Sequence, residues 1–161
     1  MTTVCFDRAR RLWLVLGLAH AVAVSAGPGV ASAAPPLKIA VLPMVVHSAE
    51  SPEYLRQGLA DMLASRLDQV ELFQVIRVED PKRATTRLDA ALETARTLGA
   101  DLVLFGSFTR FGQGASLDVQ AASTAPDANG ETLREIFVHS GSIGEVIPDL
   151  DDLVGKVTRF A

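Results

Sequence analysis

His47 and Ser48 stand side by side, with Glu50 and Glu53 close behind. A serine next to a histidine is the beginning of a nucleophile–base pair, and a histidine near two carboxylates is the beginning of a metal site. Neither is completed. No third residue sits at a spacing that would orient the imidazole or close a coordination set, and no G-x-S-x-G or H-E-x-x-H motif occurs. His139, the other histidine beyond residue 33, closes a strand-like run and reads as a surface residue. Asp149, Asp151 and Asp152 lack the alternating ligands and closing Glu of a calcium loop. They suit the first turns of a helix, where carboxylates meet the positive end of the dipole.

The glycines of "GADLVLFGSFTRFGQGASLDVQ", residues 99–120, raise a phosphate cradle as the next possibility. A dinucleotide fingerprint needs G-x-G-x-x-G between a strand and a helix, so that free helix N–H groups meet the pyrophosphate. Here Gly106 is followed by Gly112 and Gly114, and Ser116 to Gln120 then alternate with period two. That pattern is a strand, so the glycines belong to a hairpin turn. The one Gly-Lys pair, Gly155-Lys156, continues into Val157 rather than a Ser or Thr, so it is not a P-loop. No cofactor is expected.

The first 33 residues read as a targeting segment. Arg8, Arg10 and Arg11 precede an apolar run from Leu12 to Ala19, and small residues lead to Ala31-Ser32-Ala33. This order is that of a secretory signal peptide cut near Ala33, and the run is shorter than the ~20 residues of a membrane span. Arg10-Arg11 with Leu-Trp-Leu leaves both general and twin-arginine export open. Cleavage removes three Arg, one Asp and the sole cysteine, Cys5. The remaining 12 basic and 18 acidic residues give a net charge of −6. A chain of that sign lacks the basic face nucleic acid demands, and without cysteine it has no disulfide or thiol nucleophile. About 128 residues suffice for one domain, residues 34–161, expected in the periplasm.

The elements that must position these residues follow from periodicity. Leu37 to Val46 reads as a buried strand with Pro43 near its exit. Ser51 and Pro52 open a helix carrying Leu55, Leu59, Met62, Leu63 and Leu67 on one face. Phe73 to Arg77 is a second strand, and Leu88 to Leu98 a second helix stopped by Gly99. Strands at Leu102–Thr109, Ala115–Ala122 and Thr132–His139 follow, with a turn between the last two at 125–130. A terminal helix carries Ile147, Leu150, Leu153, Val154 and Val157. The order β-α-β-α-β-β-β-α predicts an α/β domain of two or three layers on a mixed sheet, parallel first and an antiparallel meander at the end.

Three segments together, "KIAVLPMVVHS" from Lys38, "YLRQGLADMLASRL" from Tyr54 and Gly99-Ala100-Asp101-Leu102-Val103-Leu104-Phe105-Gly106-Ser107, resemble the TolB amino-terminal-domain-like family of bacterial envelope proteins, related to FlgO- and CsgG-type domains. The resemblance spans residues 37 to 157. It implies a non-enzymatic periplasmic domain that acts through protein contacts, with Asp101 and Gly106 in structural roles. Many relatives carry a lipid-bearing cysteine after the signal and some precede a repeat array; this chain has neither, so it is a stand-alone version or a fragment. The alternative is a periplasmic small-ligand-binding module. Under either reading the ends of two strands, at His47-Ser48 and Gly106-Ser107, form the candidate ligand or partner loop.

Overall fold

The computed structural model describes residues 34–48, 53–125, 132–139, 144 and 146–161. The expected signal segment, the Ser51-Pro52 helix start and the turn at 126–130 lie outside the described residues. In chain order the elements are β1 (Leu37–Val41), β2 (Val45–His47), α1 (Glu53–Leu67), β3 (Phe73–Arg77), α2 (Leu88–Thr97), β4 (Leu102–Phe111), β5 (Gly114–Ser123), β6 (Thr132–His139) and α3 (Val146–Phe160). A single 3-10 turn at Pro81–Arg83 precedes α2. Residues 34–161 form a compact unit of their own.

The six strands among the described residues share one sheet, in the order β3-β1-β4-β5-β6, with β2 also paired to β4. β1 runs parallel to both β3 and β4, as strands separated by helices must. β4, β5 and β6 form the antiparallel meander. The mixed α/β architecture expected from the pattern is therefore the one present.

The expected first strand is two strands. Val41 pairs with Leu104, but Val45 pairs with Ser107, so β1–β2 takes four residue steps where β4 takes three. The extra residue falls in Leu42-Pro43-Met44. Proline has no N–H to give a ladder, which makes it the natural place for such a bulge. Because side chains alternate, one inserted residue exchanges faces. Ile39 and Val41 share a core with Met44, whereas Ala40 and Leu42 belong to the core on the other side.

That larger core lies between the sheet and helices α1 and α3. Leu59, Leu63 and Leu67 of α1 and Leu150, Leu153 and Val157 of α3 pack there on Leu104, Phe108, Leu117 and Val119. Burying each such side chain contributes ~1.5–3 kcal/mol. Val146 rather than Ile147 opens the buried stripe of α3; Ile147 is exposed. Arg66 Nε donates to Asp151 Oδ1 at 2.6 Å and links the two helices. Lys156 of α3 meets β6, donating from Nζ to Glu135 Oε2 at 2.8 Å and pairing with Asp152 at 3.0 Å. Its ammonium also lies 5.5 Å from the Phe137 ring centre.

Among the described residues the other face is covered by α2, through Ala91 and Ala95 against Ala40, Leu42, Val103, Phe105 and Ala122. A helix is ~10 Å wide and strands lie ~4.8 Å apart, so one helix shields about two strands. α2 ends in paired Schellman bonds, Gly99 N–H to Arg96 C=O at 3.1 Å and Ala100 N–H to Ala95 C=O at 3.0 Å. Asp101 follows at once and ties three strands together. Its N–H donates to the Lys38 carbonyl at 2.8 Å, and the Lys38 N–H donates to its Oδ2 at 2.8 Å. Its carbonyl accepts from the Thr124 N–H at 2.9 Å.

Gly106, in mid β4, is the tightest backbone approach. A Cβ placed there would lie 2.0 Å from the Asp118 carbonyl oxygen of β5. The hairpin between them is the two-residue turn Gly112-Gln113, with Gly112 at φ 57°. This is the turn the glycines were expected to make.

Three outcomes test these supports. Gly106→Ala should cost about 3 kcal/mol through forced strand separation, read as a fall in Tm of roughly 10 °C. Asp101→Ala should cost about 1.5–3 kcal/mol in denaturant titration, and Asp101→Asn, which keeps an acceptor oxygen, much less. The Glu135 hydrogen bond, then that to Asp152, raises the Lys156 pKa. Its stabilisation is therefore complete below the unfolded lysine value near ~10.4 and is lost as pH rises through the higher folded value. Lys156→Met should flatten that alkaline part of a stability-versus-pH profile.

Candidate functional site

Alternation along each strand decides what looks out from the half of the sheet that α2 leaves bare. Val46, Phe108, Leu117 and Phe137 pack into the α1/α3 core. Their neighbours Val45 and His47, Ser107 and Thr109, Ser116 and Asp118, and Ile136 and Val138 therefore face the opposite way. In register, one row reads Val45, Ser107, Asp118, Ile136, and the next His47, Thr109, Ser116, Val138.

The structure thus brings His47 and Ser107 onto one face, in adjacent strands. His47 is exposed and Ser107 half-buried. Gly106 is buried between them and the core, in the close approach to β5. Ser48 follows β2 and is half-buried. What the sequence presented as two strand ends is one continuous β2–β4 surface.

Sequence reasoning passed over the apolar part of this face. Ile136 is 55% exposed, Val138 65% and Phe111 50%. Phe111 pairs with Gly114 across the hairpin, on the same face as Ser107 and Thr109. The available signal was Ile136-Phe137-Val138, three apolar residues in succession where a strand with one solvated face should alternate. The charged residues here are Asp118 and Arg134, joined by two hydrogen bonds. Arg134 Nε donates to Asp118 Oδ1 at 3.1 Å, and an Nη donates to Oδ2. The carboxylate raises the pKa of that guanidinium further.

Clefts lie elsewhere. Adjacent parallel strands β1 and β3 send their chains to helices on opposite faces, the arrangement that opens a crevice at strand carboxyl ends. Pro43, Arg56, Ala60, Arg77 and Glu79 line it. Arg56 donates from Nη1 to Glu53 Oε2 at 2.9 Å, while its Nε is buried without a protein acceptor. The cavity holds only ≈ 20 Å³, room for a water at ~10–15 Å³. A wider cleft of ≈ 290 Å³ runs between Arg77–Asp80 and Arg83, Thr94 and Thr97 of the α2 side. The Thr94 and Thr97 hydroxyls there are committed to the Ala90 and Glu93 carbonyls. His47, Ser48, Gly106 and Ser107 line neither cleft. Among the described residues no three His, Cys, Asp or Glu side chains gather as metal ligands, and no helix is long and apolar enough to cross a membrane.

No family model and no curated protein matches the chain. Solved structures do. The LpoB C-terminal domain from Salmonella enterica superposes with a TM-score of 0.52 at 16% identity, over 68% of this chain and 86% of that one. Lipoprotein GNA1162 from Neisseria meningitidis gives 0.50 at 16% identity, over 76% and 97%. TolB from Acinetobacter baumannii gives 0.48 at 14% identity, over 77% of this chain and 27% of its own. At such identities the likeness to the first two is one of fold alone.

Proposed function

We propose that the chain is an exported, non-catalytic domain of the cell envelope that works through contacts with proteins, and that the bare half of the sheet is its contact face. The observation that carries this reading is the concentration of exposed apolar side chains, Phe111, Ile136 and Val138, on the sheet surface that no helix among the described residues covers. Exposed apolar groups gathered on one surface, edged by hydroxyls and an ion pair, are the composition of a protein-contact patch. Residues 1–33 direct export and are cut near Ala33, releasing residues 34–161 to the periplasm. The segments at Lys38, Tyr54 and Gly99, together with the shared fold, support kinship with TolB amino-terminal-like domains and their FlgO- and CsgG-type relatives. His47 and Ser107 then belong to the contact face, Ser48 to its margin, and Gly106 to the strand pairing beneath it. A second reading, a small-ligand module, rests on the ≈ 290 Å³ cleft beside α2, near the lower size of ligand pockets.

Tagged residues 34–161 used as bait in solubilised envelope extract should capture one or a few proteins saturably. Ile136→Lys should weaken that capture at least tenfold, about 1.4 kcal/mol, as expected for an anchor at the centre of a patch. Absence of saturable capture, or capture indifferent to Ile136→Lys, overturns the reading. Stabilisation by a small molecule in a thermal-shift screen would then favour the ligand module.

A further inference from the structure

We infer that the occupant of the bare sheet face is a second copy of this chain, docked about a two-fold axis; the inference rests on the contact-face reading above. Charge argues for a self-complementary partner. Residues 34–161 carry a net charge of −6, so two copies repel one another over most approaches. Exposed Asp61, Glu71, Glu79 and Glu93 lie on α1, on α2 and around β3. The bare face carries instead one acid and one base, Asp118 and Arg134, already compensated. It is a face on which like copies can meet without bringing uncompensated carboxylates together.

Symmetry adds a specific fit. In an isologous contact each surface meets itself reversed. Asp118 and Arg134 lie diagonally across β5 and β6, Asp118 opposite Ile136 and Arg134 opposite Gln120, so a two-fold axis crossing the line between them sets each copy's guanidinium against the other's carboxylate. The Arg134 side chain is 57% exposed against 23% for Asp118, so it is the guanidinium that retains donors to offer. Ile136, opposite Asp118 and next to Arg134 on that face, lies beside the axis and meets its counterpart, with Val138 and Phe111 toward the margin.

Area sets the strength. Four strands ~4.8 Å apart and five residues at ~3.3 Å give a patch about 19 Å by 17 Å, roughly 300 Å² per copy. Two such patches fall below the size of standard specific interfaces, in the range of weak, transient contacts. The expected dimer is accordingly weak, with a dissociation midpoint of roughly 0.1 mM.

Sedimentation of residues 34–161, from about 10 µM to about 1 mM at low salt, should show a monomer–dimer equilibrium. Ile136→Lys and Val138→Lys, both at exposed positions, should each shift the midpoint upward at least tenfold with unchanged circular dichroism. Arg134→Asp should do the same by opposing carboxylates, and the double exchange Asp118→Arg with Arg134→Asp should restore association. A monomer throughout the range, or a dimer insensitive to these changes, overturns the inference. If the chain stays monomeric while its capture of a different envelope protein is abolished by Ile136→Lys, the contact-face reading stands and the second copy is excluded. If neither occurs, both fall.

Discussion

β4 accepts three neighbours, and it can do so only because the first strand breaks register beside it. Four residues from Val41 to Val45 oppose three from Leu104 to Ser107. Upstream of the break Ile39 and Val41 lie under α1 and α3; downstream Met44 and Val46 do. An unbroken strand would have turned Val45 and His47 into that core and Met44 away from it. The bulge keeps the core apolar along the full length of β4 and sends a histidine outward. Opposite it, Gly106 lets β5 close on β4 from the other side, where any side chain would meet the Asp118 carbonyl.

Coverage of the sheet follows from where the described helices lie. Two helices, α1 and α3, span one face, with Arg66–Asp151 joining them and Lys156 binding α3 to β6. One short helix serves the other. α2 meets the sheet through small residues, Ala91 and Ala95, so it sits close but shields little. The antiparallel meander therefore keeps one solvated face, as such sheets commonly do. Here that face is unusual in holding exposed Ile136, Val138 and Phe111 rather than polar side chains alone.

Much of this was legible from residue order. The helix at 88–97 and its stop at Gly99, the strand at 73–77 and the hairpin at Gly112 all follow from local rules, because caps, turns and periodicity act within a few residues. Asp101 and Gly106 stand in the structural roles the family resemblance implied, one as a clamp on Lys38 and Thr124, the other as a site of close approach. The bulge was not legible. Ile39 to Val46 is apolar on both parities, so no alternation exists to betray a slipped register, and Pro43 alone marks the place.

From sequence alone came the charge and the alternation of elements that makes a mixed sheet. These depend on composition and on neighbours a turn away. Only the tertiary structure decided which face each strand residue occupies once the register shifts, and where α2 stops covering the sheet. It thereby put His47, Ser107, Ile136 and Val138, residues from both ends of the described sheet sequence, on one surface. Pairing across strands is non-local, and a single inserted residue inverts its outcome, which is why no window of sequence could contain it.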